Sequence, residues 1–173
     1  EAGRDLTVVQ ATTTAGETTL KANRDIAVNA NVTTDSGNLT FAADADLDGV
    51  GSFSQAAGTT ISTTTFGDIT LSGSGAGTLG TILPAGSLTL KPAGAPATWM
   101  QLPGSLVTTG GSLTLQPGVT LLAGTTIFQI GRDWVNFGTF DPGQSEVWLV
   151  GPAPAQVRGS TIFYDFGSTQ PGK

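Results

Sequence analysis

The feature that most limits what this chain can become is a short unit that keeps returning: a glycine, a small polar residue, then Leu or Ile, Thr, and Leu or Phe. It reads GNLTF from Gly37, GDITL from Gly67, and GSLTL from both Gly86 and Gly111. GRDLTV from Gly3, NRDIAV from Asn23 and GRDWVNF from Gly131 are looser copies. Its period of two puts Leu39 and Phe41, Ile69 and Leu71, or Leu113 and Leu115 on one side of a strand. No sustained helical periodicity competes with it, and β-branched residues are frequent throughout.

The interval between units says how the strands are arranged. Leu6 to Ile26, Ile69 to Leu88, and Leu113 to Trp134 are each about 20 residues apart, the spacing of a solenoid repeat. An antiparallel sandwich also has short alternating strands, but it does not need near-identical units at a repeating interval. The expected fold is an all-β parallel β-solenoid of about seven or eight coils, on the order of 35–40 Å long. Other intervals are longer or shorter, so insertions are expected at some corners. The whole of 1–173 reads as a single segment, with a change of texture near residue 128. Beyond it come Phe128, Trp134, Phe137, Phe140, Trp148, Phe163, Tyr164 and Phe166, where the earlier part relies on Leu, Ile, Val and Ala. Most of these aromatics are expected to fill a wider core.

Composition removes several classes of function. The formal net charge is −6 and the seven basic residues are scattered singly, so no stripe exists to neutralise nucleic-acid phosphates or an anionic membrane surface. No apolar run reaches the length of a membrane-spanning helix. Cys and His are both absent, which excludes Cys nucleophiles, Ser-His-Asp triads and zinc sites of the usual kind.

Phrases such as LKANRDIAVNANVTTDSGNLTFAADADLDGVGSF resemble the repeat region of filamentous haemagglutinin-like bacterial exoproteins. The tail WVNFGTFDPGQSEVWLVGPAPAQVRGSTIFYDF is similar to a repeat of very large bacterial surface proteins. The resemblance implies a right-handed parallel β-helix, exported to the bacterial surface or beyond, serving as a stalk or adhesive fibre. The asparagine-rich secretion motifs of that family's N-terminal domain are not recognisable here. An interior piece of a longer protein is therefore expected, with neighbouring segments or identical subunits stacked on its ends.

Five motifs compete for a chemical reading. Asp44, Asp46, Asp48, Gly49 and Val50 match the first seven positions of a calcium-binding loop, so Asp44, Asp46 and Asp48 are candidate Ca2+ ligands. The twelfth position is Gln55, which offers no bidentate carboxylate, and the flanks are strand-like rather than helical. Gly75, Gly77 and Gly80 fit a dinucleotide fingerprint, but a strand unit follows instead of the required helix. Asn31 and Asn38 begin sequons that Thr-rich strands generate by chance. The pairs Asp133 with Asp141 and Asp44 with Asp46 could serve a polysaccharide-active enzyme, yet the chain's other acids sit at turn positions. Threonine ladders of the ice-binding kind need strict register, and the runs Thr12–Thr14 and Thr63–Thr65 do not recur in every coil. The expected function is non-enzymatic and structural. The alternative is a module that binds glycan or a cell surface through exposed aromatics, with Trp99 and Trp148 as the candidate contacts.

Overall fold

The structure is a computed structural model that describes residues 3–169. Among the described residues it contains twenty strands, most of them short, and no helix. One sheet runs in the order Thr12–Thr14, Val32–Ser36, Thr60–Phe66, Thr81–Leu83, Leu106–Thr109, Ile127–Ile130, Glu146–Leu149, Asp165–Ser168. Neighbours in it pair in parallel and are separated by one turn of chain, so its eight strands mark eight turns of a β-solenoid. A first face begins with Leu6–Val8, Ile26–Val28 and Phe53–Gln55, and a third face carries the Gly-x-Leu-Thr-Leu units. The long strands Ile69–Leu79 and Leu88–Gln101 run around the corner from the third face to the first.

The anchor residues of the repeat are partners in the ladder: Leu6 with Ile26, Ile69 with Leu88, and Leu113 with Trp134. Longer intervals come from corner insertions. Residues 43–52 separate Leu39–Ala42 from Phe53–Gln55, and the ladder between the two long strands breaks register between Pro92 and Ala97.

Each position of the repeat has a physical task. The leading glycine lies against the carbonyl of the glycine one coil below: a Cβ on Gly67 would overlap the Gly37 oxygen, and one on Gly131 the Gly110 oxygen. The polar residue that follows accepts the backbone N–H of its counterpart in the next coil. Asn38 Oδ1 takes the Asp68 N–H at 2.9 Å, Asp68 Oδ1 that of Ser87 at 2.7 Å, and Ser87 Oγ that of Ser112 at 3.1 Å. Ser112 Oγ and Asp133 Oδ1 extend the staircase to Gln156. Then come an inward Leu, an outward Thr and another inward Leu, as the alternation predicts.

The core is one continuous cluster from Ala22 to Ala155. Its inward columns keep register from coil to coil, as in Val32, Ile61, Ile82, Val107, Phe128 and Val147. Each such fully buried side chain contributes about 1.5–3 kcal/mol of transfer free energy. Half of the eight C-terminal aromatics reach the core: Trp134 meets Phe128, Phe140 and Phe163 edge-on, with ring centroids 6.0, 4.8 and 5.3 Å away. Phe137, Tyr164 and Phe166 are exposed and Trp148 is half-buried on the outside, against the expectation that most would fill the core.

Candidate functional site

The acidic run 44–48 forms the corner insertion after Leu39–Ala42. Asp44 and Leu47 both adopt left-handed backbone, with φ of 54° and 62°, and Gly49 follows at 88°. Asp tolerates this conformation because its short polar chain can bond locally, whereas for Leu it is strained. These turns fold the loop back over Asp44, which is completely buried. Asp44 Oδ1 accepts the Gly49 N–H at 3.2 Å. Oδ2 accepts the Ser74 hydroxyl at 2.5 Å and the Gly94 N–H at 2.8 Å. One carboxylate thus ties its own loop to the next coil and to the Pro92–Ala97 bulge above it. Burial is the largest single influence on its pKa and works to raise it. The hydrogen bonds from Ser74, Gly94 and Gly49, with a smaller contribution from Asp48, outweigh burial and hold the carboxyl below its ordinary value.

The structure does bring the three candidate metal ligands together, with carboxylate oxygens of Asp44, Asp46 and Asp48 within 4.8 Å of one another. Asp46 and Asp48 are exposed, and Asp48 Oδ1 accepts the Val50 N–H at 2.8 Å. Gln55 occupies a different role from a twelfth ligand. It is buried, donating to the Thr59 and Thr81 carbonyls and accepting from Gly80 N–H. The hydrogen bonds to Asp44 explain the loop's shape from protein groups alone.

Placing Trp99 on a ligand-contacting surface requires correction, because its ring is fully buried. It belongs to the inward column Gly77, Trp99, Leu121, Phe140. Gly77 leaves room beneath the indole, since a Cβ there would lie 2.9 Å from the ring and overlap the Phe53 carbonyl. Gly77 of the apparent dinucleotide fingerprint therefore serves packing, inside a continuous strand. Trp148 points outward but is half-buried, with its ring over Gly167 and its Nε1 donating to Glu146 at 3.1 Å. Asn31 and Asn38, the sequon residues, both accept backbone N–H groups from the next coil. Asp133 accepts the Gln156 N–H and faces Arg158 at 3.7 Å, while Asp141 caps its own turn at Gly143.

The Thr-Thr-Thr runs do not form the threonine ladder of this molecule. Thr34 and Thr63 are inward and buried, donating to the carbonyls of Gly16 and Gly67. The outward ladder comes instead from the single threonine of each third-face unit: Thr19, Thr40, Thr70, Thr89 and Thr114 are partners in unbroken register. Its signal was the repeat itself, once the glycine-led units are laid over one another. Ser74 and Gly94, the partners of Asp44, had no sequence signal, because only the stacking of coils brings them to it.

Fold and site together define a parallel β-solenoid with one buried carboxylate at an inserted corner and a threonine-lined outer face. No protein-family model, curated protein or solved structure matches the chain.

Proposed function

We propose that this chain is a non-enzymatic structural segment of an exported bacterial surface fibre or adhesin, a stalk built by stacking coils on coils. The observation that carries the reading is the state of the last coil. Phe166 continues the buried column of Phe128 and Val147 yet is 42% exposed, and Val157, which stands over buried Trp134, is 44% exposed. At the other end Leu6, Val8 and Leu20 are only partly covered. Inward-facing residues with open strand edges beside them are a template for another parallel coil. That coil comes from a neighbouring segment of the same protein or from an identical subunit. The resemblance to filamentous haemagglutinin-like repeats supports an extracellular setting. Asp141 has no second carboxylate beside it in the clefts it borders, and Asp44, with Asp46 and Asp48 within 4.8 Å, is itself fully buried, whereas glycoside hydrolysis needs two carboxyls facing one substrate.

Sedimentation and electron microscopy of the purified chain test the stacking. Concentration-dependent end-to-end rods are expected, and Phe166→Glu should abolish them with the circular dichroism spectrum unchanged. A chain that stays monomeric at its highest soluble concentration, with Phe166→Glu indistinguishable from it, would refute stacking.

A further inference from the structure

Of the three tryptophans, Trp99 and Trp134 are sealed in the core, and Trp148 alone stands on the outside of the rod. It belongs to the outward column Thr108–Gln129–Trp148–Gly167 of the eight-stranded sheet. Gly167 lies inside a strand, where glycine gives up packing and marks a close approach. Its φ is not positive, so the backbone conformation does not demand glycine. The indole does. A Cβ on Gly167 would lie 2.5 and 2.9 Å from Cε3 and Cη2 of Trp148, and closer still to Cζ3 between them. A point at the rim of the ring would be much farther from the two outer carbons than from the middle one. This point is close to all three, so it lies over the ring face. The indole therefore rests flat on Asp165–Ser168, with its opposite face turned to solvent.

Its orientation in that plane is fixed as well, because Nε1 donates to Glu146 Oε2 at 3.1 Å. Glu146 is the ladder partner of exposed Asp165, and both stand on one flank of the ring. Exposed Gln129 brings an amide to the same column one coil below. No other described aromatic is seated in this way. Gly77 is the one other described glycine whose nearest atoms include a ring, and that ring is the buried Trp99. The exposed Phe66, Phe137 and Tyr164 lie at strand ends or in corners.

We propose that Trp148 is a platform for a neutral sugar of the β-glucose type, a pyranose whose ring hydrogens are all axial and give it an apolar face. That face stacks on the open side of the indole, and the hydroxyls at its rim bond to the Glu146 carboxylate and the Gln129 amide. The ring is already locked, so little side-chain freedom is lost on binding. Glu146 and Asp165 repel uronates and phosphates. A single ring does not enclose a cation as an aromatic cage does. The two carboxylates border one flank and do not face each other across a glycosidic bond, so the site binds without cleaving. It lies on the side of the rod and does not depend on end-to-end stacking.

Fluorescence titration of the full chain with cellohexaose tests the platform, since the other two indoles are buried and a change in emission reports Trp148. Saturable binding with Kd on the order of 1 mM is expected. It should persist in about 0.5 M NaCl, because no ion pair is involved. By calorimetry, Trp148→Ala should weaken binding by about tenfold. Gly167→Val keeps the tryptophan but removes its seat, and should weaken binding to a similar degree. Phe137→Ala and Arg132→Ala should bind as the unaltered chain does, and a galacturonic-acid hexamer should bind more weakly than cellohexaose. Melting curves check that each variant folds. No saturable cellohexaose binding, a Trp148→Ala or folded Gly167→Val variant that binds like the unaltered chain, or tighter binding of the acidic hexamer would each overturn the assignment.

Discussion

Trp99 and Trp134 are both completely buried, yet the coils around them are filled by opposite means. Around Trp99 the coil below contributes Gly77, and the indole occupies space that its missing side chain leaves. Around Trp134 the neighbours are rings, with Phe128, Phe140 and Phe163 packed edge-on. The polar end of each indole differs as well. Trp134 Nε1 donates to Thr161 Oγ1 at 3.1 Å, whereas Trp99 Nε1 is buried with no partner. A solenoid section can thus be filled by one large residue over glycines or by several rings meeting at their edges. Only the second arrangement also satisfies its polar atom.

Trp134→Ala should show the largest effect, removing the centre of the aromatic cluster at a cost of about 3–5 kcal/mol in chemical denaturation. The earlier coils depend instead on polar pinning. Asp44→Ala strands the Gly49 and Gly94 N–H groups, leaves the Ser74 hydroxyl only its bonds to Ala95, and should cost about 2–4 kcal/mol. The sign with pH follows from the lowered pKa. In acid the unfolded chain binds the proton more readily than the folded one. The carboxylate's contribution is therefore complete above the ordinary carboxylate range and is lost as pH falls through the lowered folded value. Asp44→Asn should flatten that part of an acid-denaturation curve.

Gly77→Ala sharpens the comparison directly. Its Cβ overlaps the Phe53 carbonyl and crowds the Trp99 ring, so about 1–3 kcal/mol should be lost, and the near-ultraviolet signal of Trp99 should change. Smaller still is the contrast between two Trp→Phe variants. Trp134→Phe gives up a hydrogen bond and should lose about 1 kcal/mol more than Trp99→Phe, which removes an unpaired donor. Equal losses would break the distinction between the two coils. Last, Ca2+ should leave the melting midpoint unchanged relative to chelator, because the buried member of the acidic trio is already committed to three protein donors. A calcium-dependent rise lost in Asp46→Ala/Asp48→Ala would show that the exposed pair recruits an ion despite this.

Much of the architecture was legible because a repeat states its own contacts. The roughly 20-residue intervals identify the ladder partners Leu6–Ile26, Ile69–Leu88 and Leu113–Trp134. The alternation named which side of each strand is apolar. Trp99 was misplaced for a related reason. It lies beyond the register break between Pro92 and Ala97, which resets the phase of the alternation, so the repeat alone does not assign it a side.

By itself, then, the sequence determined the parallel all-β stack and the inward leucines. These follow from local alternation and from a spacing that recurs along the chain. Tertiary structure alone decided that Asp44 is a buried hub, that Trp99 rests on Gly77, and that Trp148 lies flat on Gly167. Those facts depend on which residues from different coils meet at one corner or on one face. Coils of unequal length shift that meeting in ways the repeat does not encode.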